Sequence, residues 1–290
     1  MSAGTNWYQV TVSGDSVGAI KTDGSLWTWG YNLYGTLGDN TGGGGTNKSS
    51  PVQTVAGGFN WKQVSTVTSS QTMGAIKTDG TLWMWGMNSY GGLGDNTNTR
   101  KSSPVQTVAG GTNWRQVSAG YSTAAIKTDG TLWMWGRNNY GQLGTNDTTN
   151  RSSPVQTVSA GTNWKQVAMG TNNLSAIKTD GTLWTWGINN SGQLGTNNRT
   201  NQSSPVQTVS GGTNWKQVST GYGTGAVKTD GTLWMWGYNP EGQLGTNDTT
   251  SYSSPVQTVA GGTNWKQVSC GDAATGAIYF YDPGNLYPSA

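Results

Sequence analysis

The chain contains no histidine. That excludes Ser-His-Asp and Cys-His nucleophiles, and any metal site built on an imidazole. Cys270 is its one cysteine, so no disulfide can close within it. Glu241 is its one glutamate. Charged residues make up 10 % of the chain, where ~25 % is usual. The small net charge of +3 is spread along the chain. A nucleic-acid surface would need clustered Lys and Arg, so none is expected. No stretch approaches the ~20 apolar residues of a membrane helix, so no membrane insertion is expected. The opening MSAGTNWYQV lacks a basic segment followed by an apolar run and does not read as a Sec signal peptide.

The acids offer little chemistry. Asp23, Asp79, Asp129, Asp180 and Asp230 each precede a glycine, where a turn explains them. Asp15, Asp39, Asp95, Asp147, Asp248, Asp272 and Asp282 show no context for a glycosidase pair. The loops LGDNT and GTNDTT offer mixed oxygens, but one carboxylate per loop is thin for calcium. The expectation is a non-enzymatic protein with no cofactor and no metal.

What the chain does have is glycine, 46 residues, and tryptophan, 16 residues. They lie in a repeat. TDGTLWMWG occurs three times, with TDGSLWTWG and TDGTLWTWG as near copies. An Asn-Trp pair leading to Gln-Val recurs at Trp7, Trp61, Trp114, Trp164, Trp215 and Trp265. SSPVQTV recurs with prolines at Pro51, Pro104, Pro154, Pro205 and Pro255. A period of about fifty residues suits a four-stranded propeller blade. Six units follow, near residues 6–55, 60–108, 113–158, 163–209, 214–259 and 264–290.

Within a unit, NWRQVS and TAAIKT read as strands. Asp-Gly then predicts a type I′ hairpin turn into TLWMWG. PVQTV reads as a strand with proline at its entrance, where a missing N–H matters least. No 3.6-residue apolar period appears, so almost no helix is expected. The predicted fold is an all-β propeller of about six blades of four antiparallel strands. The sixth blade is about one strand short, with GNLYPS standing for its third strand.

By strand alternation, Leu132 and Met134 face one way and Trp133 and Trp135 the other. Both faces are apolar, so the strand needs cover on both sides, as stacked blades provide. Trp27, Trp29, Trp83, Trp85, Trp133, Trp135, Trp184, Trp186, Trp234 and Trp236 are therefore expected to pack between blades. The GQLG-type glycines lack the following helix and Lys-Ser/Thr of a phosphate cradle, and read as turns. Lys21, Lys77, Lys127, Lys178 and Lys228 are expected to ring one end, each nearly neutralised by the Asp two residues on.

LWMWGRNNYGQLG at Leu132–Gly144 and LWTWGINNSGQLG at Leu183–Gly195 resemble the repeat family named after the regulator of chromosome condensation. The resemblance covers essentially the whole chain and implies a β-propeller. It also implies nucleotide exchange on a small GTPase as one functional alternative. Two features differ. The founding members look seven-bladed, and their C-G-x-x-H motif survives here only as Cys270-Gly271.

The units differ at Tyr31, Met87, Arg137, Ile188 and Tyr238, just after Trp-Gly, and in the long loop that follows. Loops on a rigid scaffold are where binding is usually placed, and these five are the expected partner-binding anchors. The favoured reading is a scaffold or attachment protein of a phage virion or microbial surface that binds other proteins. A glycan-binding propeller is the alternative, ahead of an intracellular exchange-factor-like regulator.

Overall fold

A computed structural model describes residues 6–67 and 70–280. Among them are five four-stranded antiparallel sheets and one two-stranded sheet, with no helix. Each sheet is a simple meander. The third runs Trp114–Ser118, Ser122–Lys127, Leu132–Gly136, Arg151–Gln156. The sixth comprises Trp265–Cys270 and Thr275–Tyr279. The third strand expected from GNLYPS lies outside the described residues.

The strand that begins with the Asn-Trp tryptophan is innermost in every blade. Gln63, Ser65, Ser118, Thr220 and Ser269 from such strands line an axial cavity of about 530 Å³. No charged side chain faces it. The proline-bearing strand is outermost.

Blades hold together through three repeated contacts. The first is packing. Leu82 and Met84 of the second blade bury against Trp114 and Trp135 of the third. Leu132 and Met134 of the third bury against Trp164 and Trp186 of the fourth. The second is the indole N–H. Trp85, Trp135, Trp186 and Trp236 are fully buried. Their Nε1 atoms donate to the carbonyls of Thr36, Gly92, Gln142 and Gln193, in the loop of the preceding blade, at 2.8–3.0 Å. The third is a glutamine ladder. Gln116 Nε2 donates to Val167 O at 2.9 Å, and its Oε1 accepts from Val167 N at 3.1 Å. Gln9, Gln63, Gln166 and Gln217 pair in the same way with Val64, Val117, Val218 and Val268. Among the described residues, no such pair joins Gln267 to the first blade.

Several local expectations need correction. The Asp-Gly turn is not type I′, because only the glycine has positive φ, +80° at Gly130. Asp129 instead closes an Asx turn, its Oδ1 accepting from Thr131 Oγ1 at 2.7 Å and Thr131 N at 2.9 Å. Those bonds hold its carboxyl below the ordinary range. A Cβ at Gly130 would meet the Thr162 carbonyl oxygen, so the site requires glycine twice over. Pro154 is the fourth residue of its strand, not the first. The strand is an edge, and the register slips between Met134 and Gly136 opposite it, so no ladder bond is lost.

The lysines differ too. Lys127 Nζ lies 4.8 Å from the Trp114 ring centre and 4.6 Å from that of Trp133. Lys21, Lys77, Lys178 and Lys228 are sandwiched likewise. Two indole faces, rather than the nearby aspartate alone, accommodate each charge.

One tryptophan is left without its partner. Trp61, Trp114, Trp215 and Trp265 donate Nε1 to Gly57, Gly110, Gly211 and Gly261, glycines with φ of +50° to +58°. Ala160 takes that place in the fourth blade and does not adopt positive φ. Trp164 Nε1 is buried with no acceptor. A buried orphan donor costs about 1–3 kcal/mol, whereas glycine costs under about 1 kcal/mol in unfolded-state entropy. Ala160→Gly should therefore raise the denaturation free energy by about 1 kcal/mol, read by urea titration. Trp135→Ala should lower it by about 3–5 kcal/mol. Trp29→Ala should cost less in the same titration, since Trp29 is only half-buried and its indole donates to no described residue.

Candidate functional site

The residue after Trp-Gly sits at the same place in five blades. Its amide donates to a carbonyl in the turn between the first two strands: Tyr31 to Asp15, Met87 to Gln71, Arg137 to Tyr121, Ile188 to Asn172, Tyr238 to Tyr222. The distances run from 2.8 to 3.4 Å. Tyr31, Met87, Arg137, Ile188 and Tyr238 are thus brought to one end of the propeller, half-buried at the root of the long loops. The Asp-Gly turns and their lysines lie at the other end of the same strands.

The long loops lack regular structure but are not loosely held. The asparagine after each of these five residues is fully buried. Asn138 Oδ1 accepts from Leu143 N at 2.9 Å. Its Nδ2 reaches Thr145 Oγ1, the oxygens of Asp147 and Thr149 O at 3.0–3.3 Å. Asn32, Asn88, Asn189 and Asn239 do the same in their blades. Further along, Asn40, Asn96, Asn146 and Asn197 take positive φ. Their amides donate to Ser102, Ser152, Ser203 and Ser253 of the following blade at 2.8–2.9 Å. Asparagine tolerates that backbone region better than most residues. Each of the five loops is therefore clamped at its root, and the first four are stitched to the following blade. A lone asparagine inside NNYGQLG carries little sequence signal, and the clamps were not foreseen.

The loop acids are engaged locally. Asp39 Oδ1 accepts from Thr41 N at 3.0 Å and from Asn32 Nδ2 at 3.3 Å. Asp95 pairs with Lys101 at 3.7 Å and Asp147 with Arg151 at 2.8 Å. Among the described residues no three acids or cysteines gather where a metal could bind. Cys270 is buried, and burial pushes its thiol up to about 12, far from a reactive thiolate.

The ten strand tryptophans divide by depth. Trp85, Trp135, Trp186 and Trp236 are sealed between blades. Trp83, Trp133 and Trp184 are half-buried, packed on the same cores, as is Trp234. Their indole N–H groups donate to the turn threonines at 2.9–3.0 Å. Trp27 donates to Ser25 Oγ at 2.8 Å, and Trp29 tilts against Trp7 with ring centres 6.2 Å apart. What the loop end shows instead is tyrosine. Tyr90 meets Tyr121 edge-on at 6.1 Å, and Tyr222 meets Tyr238 at 5.8 Å. The first contact joins the second and third units and the second spans the fifth, pairings that linear reading does not bring together.

If the asparagine clamp sets loop order, Asn138→Ala should speed amide exchange at residues 143–149 by about tenfold or more, leaving the sheet amides slow. Hydrogen–deuterium exchange with mass spectrometry measures this directly.

The likenesses to known proteins agree with this architecture. A model of the RCC1-like domain matches residues 2–287. The ultraviolet-B receptor UVR8 of Arabidopsis thaliana is 31% identical over 193 residues, 65% of this chain and 43% of the receptor. The match thus spans less than half of that relative's length. Human WBSCR16 superposes with a TM-score of 0.83 at 21% identity, over 95% of this chain and 72% of its own. Yeast RCC1 (Prp20), in its structure bound to Kap60, gives 0.81 at 18% identity, over 94% and 68%. A second Saccharomyces cerevisiae structure, of Prp20p, described with its binding to Gsp1p and histones, gives 0.76 at 15% identity, over 94% and 69%. At these identities the solved structures speak for the fold alone. With the meander blades, the glutamine ladder and a family match across nearly every residue, the chain belongs to the RCC1-like domain family and is a β-propeller.

Proposed function

We propose that the protein is a non-enzymatic scaffold that binds other proteins through the loop end of the propeller. The observation that carries this is the placement of Tyr31, Met87, Arg137, Ile188 and Tyr238 on loops held by buried asparagines. Rigid aromatic, methionine and arginine side chains are what interface centres favour, since little ordering entropy remains to be lost. The described residues offer no general acid or base of fitting environment, and the one thiol is buried and neutral. Protein ligands are also what the names of its relatives' structures describe: Kap60, Gsp1p and histones for Prp20.

The partners are taken to be components of a virion or a microbial surface. The charge-poor, Asn/Thr/Gly-rich composition supports that setting. A glycan would have to engage the tyrosines, because the strand tryptophans are already packed.

A photoreactive residue at Tyr238 should crosslink the protein to a particle or cell-surface component in its native host. The same residue at Asp230, at the opposite end, should not. Crosslinks from Asp230 alone would place the interface elsewhere, and a wholly cytosolic protein would sink the surface assignment. Glycan-array binding without any protein crosslink would favour the sugar reading.

A further inference from the structure

The repeat symmetry of the loop end is broken by charge at one point. Arg137 occupies the position held by Tyr31, Met87, Ile188 and Tyr238 in the other blades. Its backbone is fixed: the amide donates to Tyr121 O at 3.0 Å, and the carbonyl accepts from Ser122 Oγ at 2.7 Å. Its guanidinium carbon lies 5.2 Å from the Tyr90 ring centre and 5.8 Å from that of Tyr140. Tyr121 stands edge-on to Tyr90, and burial, with Tyr34 and Tyr90 nearby, holds its phenol further toward the neutral form. The Tyr121 hydroxyl is therefore available as a donor.

The guanidinium has no partner for its charge among the described residues. Arg137 Nε is buried with no hydrogen-bond partner. The two ion pairs among the described residues are Lys101–Asp95 and Arg151–Asp147. The loop acids of the second and third blades are thus held by their own cations and leave Arg137 uncompensated. Leaving such a group desolvated and unpaired is costly, while stacking on rings fixes the plane of its fork in advance. The two Nη groups have no hydrogen-bond partner among the described residues and are not shut away like Nε, so a planar carboxylate can meet them end-on in bidentate geometry. One cation without a second beside it suits a single-charge carboxylate better than a phosphate dianion.

We propose that Arg137, framed by Tyr90, Tyr121 and Tyr140, is an anchor for an aspartate or glutamate side chain on an acidic segment of a partner protein. This rests on the loop end being a protein-binding face. The tyrosine rings provide walls for the residues flanking the carboxylate.

The test is NMR of the arginine Nε–H groups of the full chain, titrated with a hexaglutamate peptide. The Arg137 signal should shift saturably. Arg137→Gln should weaken binding about tenfold or more, the loss of a charge-assisted pair. Arg137→Lys should weaken it nearly as far, because the fork is gone. Arg199→Gln, on the fourth-blade loop, should bind like the parent. Tyr140→Ala provides a second route to the same loss if Arg137→Gln fails to fold. No saturable shift at Arg137, or affinity equal to the parent's in both Arg137→Gln and Tyr140→Ala, overturns the proposal. So does saturation by sialyllactose or inorganic phosphate where hexaglutamate gives none. The probe needs no native partner, so this result reads independently of the Tyr238 crosslink.

Discussion

Each blade is apolar on both faces and cannot bury either one alone. That constraint governs the rest of the structure. A sheet whose central strand reads Leu-Trp-Met-Trp must be covered twice, by the blade before and the blade after. Packing supplies the bulk of the cohesion, but packing alone does not fix register. Register comes from three directional bonds at each of the first four interfaces: an indole N–H reaching back, a glutamine amide reaching forward, and an asparagine amide stitching loop to outer strand. Of the three, the described residues keep only the glutamine pair between the fifth and sixth blades. Each bond ends on a backbone group, and an unpaired backbone group in such a place is costly. A sliding or splayed blade would break all three at once.

This arrangement explains why the repeated words are nearly identical. A residue that donates forward in one blade must find the same acceptor in the next, so the interface is one solution used again. The exceptions behave as this account requires. Where Ala160 replaces a left-handed glycine, Trp164 loses its acceptor. In the first blade, Trp29 finds no acceptor among the described residues and leans on Trp7. Val10 and Val12 are 62% and 59% exposed on the first blade, and Ile278 and Phe280 are 59% and 58% exposed on the sixth. The cohesion also needs almost no ion pairs. Five of the chain's lysines, one at each Asp-Gly turn, are instead set between two indoles.

The architecture was legible in the sequence because it is carried by period. Strand alternation in LWMWG, the Asp-Gly spacing and the SSPVQTV marker each state a local geometry, repeated often enough to rule out accident. What stayed hidden depends on contacts between segments. Alternation placed both tryptophans of a pair on one face. It could not say that Trp135 would be sealed and Trp133 would share a lysine with Trp114. The Asp-Gly pair named the hairpin but the wrong turn type, since the Asx bond to Thr131 competes with a type I′ backbone. The five anchor positions stood out as differences between repeats. The asparagine clamps beside them did not, because they are the same in every blade, and sameness reads as scaffold.

That last point bears on how function can be found in a repeat protein at all. Residues common to all blades are already engaged in joining one blade to the next. A binding group has to be sought among those the repeat does not require, and among these an unmet physical need is the better guide than variation alone. Tyr31, Met87, Ile188 and Tyr238 differ from one another, yet an apolar half-buried side chain is at rest in that position. Arg137 is not at rest. Its plane is set by tyrosines, its Nε is shut away from water, and no carboxylate of the described chain answers it. Such a group is destabilising in the isolated protein. Its charge is met if a carboxylate from outside takes the open Nη side of the fork.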